Sequence, residues 1–275
     1  MPARRPGTLH SITRTSYRLD RMLGKVGALL PGSMRLTIIL AVTVAFALLA
    51  RGLRAVTASG SAAGGLICFA LFWSLGAGGF LALVTVFLLT WVATRFGYRR
   101  KERLGTAERA GGRTASQVLA NLGVAVASAL IFRAVPEQTF WLVAAAAALA
   151  EAAADTVSSE FGQSFADSAR LITSWKRVPA GTDGGVTVSG TVAGMASAVL
   201  VAAVAWCSGL LSPWGVGAAA GGGVIGMVAD SFLGATFERK GKLSNDWVNL
   251  LSTLGAAGTA ILVTVFGHNR VFVPI

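Results

Sequence analysis

Eight apolar stretches divide the chain: Leu36–Ala50, Ala58–Leu75, Ala77–Ala93, Val118–Val135, Thr139–Ala154, Val188–Leu211, Trp214–Phe237 and Trp247–Phe266. A helix crosses the ~30 Å hydrocarbon core of a bilayer with about 20 mostly apolar residues. Several stretches are shorter than that, but the first lies between Arg35 and Arg51, whose long stems can reach back to the interface. The pattern predicts an all-α, polytopic integral membrane helix bundle of seven to eight transmembrane helices over residues 36–275, with its polar motifs between about residues 95 and 266. A basic N-terminal arm precedes it. Residues 1–35 hold seven Lys and Arg against the single Asp20, and no apolar core leads to a small-residue cleavage site, so a surface-lying or disordered arm is expected rather than a cleaved signal peptide.

Composition supports the membrane assignment. Of 275 residues 54% are hydrophobic and 13% charged, with a mean hydropathy of +0.66; soluble domains carry about 25% charged residues. That is too little polar surface to cover a globule of this size, which excludes a soluble enzyme. The 34 glycines and the alanine runs Ala144–Ala148 and Ala218–Ala220 are the small residues that let membrane helices approach closely.

The net charge of +12 is concentrated in connecting segments. Arg95–Gln117 carries seven Lys/Arg, Asp155–Thr187 three and Glu238–Asp246 three, whereas the turns near Gly76 and Ser212 carry none and the one near Pro136 only Arg133. The positive-inside rule places the basic segments in the cytoplasm, and Arg51 and Arg54 agree. The basic arm disagrees: either the first stretch does not span or the arm is an exception. Aromatic residues do not alternate with the cations, so the excess points to anionic lipid rather than nucleic acid. Cys68 and Cys207 sit in apolar stretches and read as buried free thiols rather than a disulfide or metal site, and with His10 and His268 as the only histidines, histidine catalysis and a histidine-rich metal centre are poorly supported.

Carboxylates at membrane depth are costly and face a partner or an aqueous cavity. Asp230, inside the seventh stretch, is the clearest case. Glu151 and Asp155 are four residues apart and share a helix face, with Glu160 expected beyond a helix break. Arg113, Gln117 and Asn121 form a second stripe, and Asn245, Asp246 and Asn249 a third; either could be plain helix–helix glue. All start from the same membrane side, so they can converge on one polar pocket open to the cytoplasm. The segment from Lys176 to Gly185 places two cations, Lys176 and Arg177, ahead of Gly181, Thr182, Asp183, Gly184 and Gly185 and then a helix. Such a loop can turn backbone amides toward phosphate, or be an ordinary loop. It lacks the P-loop pattern. Ala154-Asp-Thr and Ala229-Asp-Ser form a weak internal echo.

The stretches Ala154-Asp-Thr-Val-Ser-Ser-Glu-Phe-Gly162, Pro179-Ala-Gly-Thr-Asp-Gly-Gly-Val186, Asp230-Ser-Phe-Leu-Gly-Ala235 and Ser244-Asn-Asp-Trp-Val-Asn249, with Arg113-Thr-Ala-Ser-Gln-Val-Leu-Ala-Asn121, resemble the integral-membrane family called domain of unknown function ninety-two. The likeness runs from about Ala58 to Phe266; Val157 departs from it, standing where a larger residue is expected. The family includes the plant phytyl-phosphate kinase. The resemblance therefore implies a kinase that converts a prenyl monophosphate to the diphosphate using a nucleoside triphosphate, CTP or ATP. Such a kinase needs no strong base, because the acceptor phosphate is already ionised, and relies on positioning and charge neutralisation. Asp155, Glu160, Asp230 and Asp246 are then the candidates for catalysis and for Mg²⁺, which takes one or two carboxylates plus phosphate oxygens and water. Lys176, Arg177, Arg113 and the backbone of Gly181–Gly185 would hold phosphates, with Gln117, Asn121, Asn245 and Asn249 lining the pocket and the prenyl tail between helices. A transporter or flippase using buried carboxylates as ion or proton sites is the rival reading, and a structural scaffold a third. The oligomeric state is open.

Overall fold

The computed structural model describes residues 31–107 and 111–268. Among the described residues eight α-helices follow in order: α1 (Gly32–Gly52), α2 (Ala58–Arg95), α3 (Tyr98–Arg103), α4 (Ala115–Ala134), α5 (Phe140–Phe165), α6 (Val188–Cys207), α7 (Pro213–Thr236) and α8 (Asn245–His268). Local sequence explains where several begin. Thr57, Thr187 and Ser212 each accept a hydrogen bond from the amide three residues on, and Pro213 occupies the first turn of α7, where its missing N–H costs nothing. At α4 the Thr114 and Gln117 side chains form a capping box.

Seven helices among the described residues are long and apolar enough to cross a bilayer. One of them, α2, has 38 residues and would run about 57 Å if straight. It is not straight. Gly76 has φ 66° and ψ −156°, a backbone conformation open essentially to glycine alone. Phe72 and Phe80 then stack across the bend with ring centroids 5.3 Å apart, and the Arg95 guanidinium at the far end donates to the carbonyl of Leu53, just ahead of the near end. Two ends meet in this way only in a hairpin. The arms are residues 58–75 and 77–95, matching two separate apolar stretches, so the described residues hold eight apolar segments of spanning length.

With this hairpin counted, the segments alternate so that residues 53–57, 96–107, 111–114, 166–187 and 237–244 share one end of the bundle. Contacts agree. Thr57 N donates to Arg113 O at 2.9 Å, Arg113 N to Ala55 O at 3.0 Å, and Arg100 Nε to Gln163 O at 3.2 Å. These are the basic segments. Helix α1 is long and apolar enough to span, so it starts at the opposite end; the arm before it lies outside the described residues except for 31–35.

Helix α5 is the centre of the bundle, packing on α2, α4, α6, α7 and α8. Its residues Ala144–Ala150 have 0% exposure, and the small side chains let five neighbours come close. The outer surface is apolar, with Leu48, Leu66, Val188 and Leu262 exposed as a lipid-facing shell requires.

Two expectations change. Helix α5 continues unbroken to Phe165, so Glu160 is on the same helix as Asp155 rather than beyond a break. Five residues rotate a helix by about 140°, so the two point to different neighbours. The segment after α5 is also not simply a loop: β1 (Ser168–Leu171), β2 (Arg177–Pro179) and β3 (Gly185–Val186) form a small antiparallel sheet in the order β2-β1-β3, with Arg170 opposite both Arg177 and Val186. Both cysteines are free thiols; Cys68 is buried as expected, whereas Cys207, the last residue of α6, is exposed.

Candidate functional site

Three carboxylates meet inside the bundle, toward its basic end. Glu151 and Asp155 come from successive turns of α5 and Asp230 from α7. Glu151 is 1% exposed. The Asp155 carboxyl lies in electrostatic reach of Asp230, and Ser252 of α8 donates to Asp230 Oδ2 at 3.2 Å. Glu151 Oε1 is buried with no hydrogen-bond partner among the described residues. Glycine makes this convergence possible: a Cβ at Gly226 of α7 would stand 2.6 Å from Glu151 Cγ and 2.9 Å from Ser252 O, so only a bare Cα lets α5, α7 and α8 close together.

Arg113 supplies the balancing positive charge. Paired to residues 55–57 through the backbone, it donates to Thr156 Oγ1 at 3.1 Å and interacts electrostatically with Asp155. Nearer the end of the bundle, Glu238 in the 3-10 turn after α7 (Glu238–Lys240) lies in electrostatic reach of Asp155, Asp230 and Asp183. Asp183 belongs to the glycine-rich segment. That segment reaches the site because Gly184, at φ +71°, rests against Ala235 at the end of α7, and Gly181, at φ +86°, against Thr106.

The other candidates divide. Glu160 forms a buried ion pair with Lys101 of α3, and Lys101 Nζ also donates to Ala93 O at 3.1 Å and Thr94 O at 2.7 Å. Glu160 is therefore occupied, although it remains in electrostatic reach of Asp155. Gln117 is used in capping: its Oε1 accepts from Thr114 N at 2.8 Å. Asn121 Nδ2 donates to Gln117 O at 2.8 Å within its own helix. In the glycine-rich segment the amides of Thr182 and Gly185 close internal turns onto Pro179 O and Thr182 O, so they do not point at a ligand. Lys176 and Arg177 are exposed at the outer strand β2, with no contact to the carboxylates among the described residues. Asp246 is half-buried in the first turn of α8; Asn245 beside it is exposed and Asn249, one turn on, is buried. No three carboxylate, histidine or cysteine side chains among the described residues form a ready-made metal cage. Among the described residues the four acidic side chains expected to share a metal do not gather into one group, while the Asp155–Asp230 pair is the kind of donor set Mg²⁺ takes when phosphate and water complete its shell.

A cavity of about 540 Å³ adjoins this centre, between α1, both arms of α2, α4 and α5. Arg113 and Ala152 line it, and Ala152 precedes Asp155 by one turn on the same face of α5. Sequence reasoning missed the cavity, and with it Glu238, Ser252, Thr156 and Lys101. Glu238 alone left a signal, a carboxylate eight residues beyond Asp230 where a continued helix would place the same face.

A bundle of apolar helices long enough to span a bilayer, with carboxylates between them, is an integral membrane protein. The family model described as integral membrane protein DUF92 matches residues 41–257, and the chain belongs to that family. It is similar to the uncharacterized membrane protein MJ0933 of Methanocaldococcus jannaschii, 32% identical over 235 residues, 84% of this chain and 96% of that one. It is also similar to the uncharacterized membrane protein sll0875 of Synechocystis (31% over 196 residues, 70% and 76%) and to protein VTE6, chloroplastic, of Arabidopsis thaliana (29% over 218 residues, 76% and 66%). No solved structure matches the chain.

Proposed function

We propose that this protein is a membrane-embedded prenyl-phosphate kinase that transfers a phosphoryl group from CTP or ATP to a prenyl monophosphate. The observation that carries the reading is the half-buried Asp155–Asp230 pair, with Arg113 beside Asp155, at the basic end of the bundle. The family supports it, through the resemblance to the plant phytyl-phosphate kinase. By the positive-inside rule this end is the cytoplasmic one, where nucleotide is found.

In the reaction a terminal oxygen of the acceptor monophosphate forms a bond to the γ-phosphorus. The bond from that phosphorus to the β,γ-bridging oxygen breaks, leaving the nucleoside diphosphate. The acceptor oxygen is already anionic, so no side chain has to remove a proton. The work is orientation and charge stabilisation. Arg113 neutralises charge on the phosphoryl group, with Thr156 and the Asp155 carboxylate fixing its guanidinium. Asp155 and Asp230 would hold Mg²⁺, which supplies charge neutralisation of the nucleotide phosphates. Glu151, Asp155, Asp230 and Glu238 against one guanidinium is an acidic excess that a divalent cation offsets. Gly184 and Asp183 close the site on the aqueous side.

The test is incubation of membranes containing the full chain with γ-labelled CTP or ATP, Mg²⁺ and geranylgeranyl monophosphate. A labelled prenyl diphosphate is expected. Folded protein that labels no lipid from either donor contradicts the reading.

A further inference from the structure

The cavity beside the carboxylates is unlike the rest of the interior in its charge. Four arginines stand at its rim: Arg54 from the turn after α1, Arg95 at the end of α2, Arg99 on α3 and Arg113. None of its lining residues is acidic. Arg54, one of the lining residues, takes φ 56°, a left-handed conformation that is costly for a non-glycine residue. Arg95 lies over the Trp91 ring at 4.7 Å. The indole N–H of Trp91, another lining residue, is buried with no acceptor among the described residues.

Below the rim the walls turn apolar. Phe46 packs edge-on against Phe87 at 5.2 Å, and Leu83 and Leu122 continue the lining inward. Leu83 lies twelve residues before Arg95 on the same arm, roughly 18 Å deeper at 1.5 Å per residue, so the cavity runs past the middle of a ~30 Å hydrocarbon core. The volume is that of a small-molecule site, within the usual ~300–1,000 Å³.

We propose that this cavity seats the phosphoryl acceptor: a phosphomonoester on one apolar chain, with its phosphate held by Arg54, Arg95, Arg99 and Arg113 and its chain laid between Phe46, Leu83 and Phe87. The proposal rests on the kinase reading for its reaction and stands apart from it for binding. Cations and a buried indole donor without an acceptor match a dianionic head, the depth matches a chain, and Arg113 belongs to both cavity and transfer centre. A phosphate on this rim therefore reaches the Asp155–Asp230 pair without leaving its site.

The experiment measures binding of radiolabelled farnesyl monophosphate to the purified full chain in micelles, without nucleotide. Gly64→Leu fills the cavity without disturbing the fold, since Gly64 lines it on α2 and a Cβ there meets nothing within 4 Å. Saturable binding is expected, weakened at least tenfold by Gly64→Leu and by Arg54→Gln with Arg99→Gln, and unchanged by Arg51→Gln, which alters an arginine at the same end but outside the lining. Farnesol and inorganic phosphate each compete at least a hundredfold less well. Wild-type binding by Gly64→Leu overturns the proposal. So does displacement by phosphatidate as effective as by farnesyl phosphate, which assigns the cavity to a two-chain lipid, or displacement by inorganic phosphate alone, which makes it a plain anion site. Binding without turnover defeats the kinase reading and leaves this proposal standing. Turnover unaffected by Gly64→Leu defeats this proposal and leaves the kinase.

Discussion

Lys101 is fully buried at 0% exposure on a six-residue helix outside the bundle's main segments. Its ammonium donates to Glu160 on α5 and to Ala93 O and Thr94 O, two of the terminal carbonyls of α2. Replacement by methionine keeps the stem but removes all three donors. Loss of one partner from a buried ion pair costs about 3–5 kcal/mol, because the other charge stays uncompensated. The double variant Lys101→Met, Glu160→Leu removes that charge as well. It then retains only the cost of two carbonyls without a donor, of order 1 kcal/mol each. Equilibrium unfolding in mixed micelles is therefore expected to show a loss of about 3–5 kcal/mol for the single variant and about 2 kcal/mol for the double. Because α3 also carries Arg99 to the cavity, farnesyl phosphate binding falls with the single variant. A single variant within 1 kcal/mol of wild type, or a double variant less stable than the single, refutes the reasoning.

Three further outcomes follow from the geometry. Gly226→Ala puts a methyl 2.6 Å from Glu151 Cγ and 2.9 Å from Ser252 O; it is expected to cost at least about 1–3 kcal/mol, read in the same unfolding assay, and to reduce turnover by spreading the carboxylates. Gly76→Ala meets nothing within 4 Å, so its cost is conformational alone, about 1–3 kcal/mol, with Mg²⁺-dependent turnover of the folded protein unchanged. Arg113→Gln is expected to lower kcat about 10²–10³-fold in the transfer assay, and Arg113→Lys to recover part of it, since an ammonium keeps the charge without the guanidinium's several donors.

Much of the fold is legible along the chain because lipid imposes it locally. Each apolar stretch must satisfy its own backbone as a helix, and the gap at Gly76 between two stretches marks a true reversal. The common side of the polar motifs also follows from counting crossings, which is why Asp155 and Asp230 can be grouped from the sequence. What escaped depends on rotation and depth. Lys101 looks like one of seven cations in a solvated run, and only packing shows it reaching 59 positions along to Glu160. By sequence Glu160 shares a role with Asp155, yet an unbroken α5 turns it toward α3. The capping role of Gln117 was written in Thr114-Ala-Ser-Gln117, the Ser/Thr-x-x-Glu/Gln pattern, but was read as part of a binding stripe. The cavity left no linear trace, being lined from five separate elements.

The transfer assay with Asp155→Asn, Asp230→Asn and Glu160→Gln side by side, each corrected for folded protein, tests the central claim most directly. The account predicts that Asp155→Asn and Asp230→Asn lose at least a hundredfold in Mg²⁺-dependent formation of the prenyl diphosphate, while Glu160→Gln, which alters an ion pair rather than the transfer centre, stays within a fewfold of wild type. Equal losses in all three, or an Asp155→Asn variant that turns over normally, would contradict it.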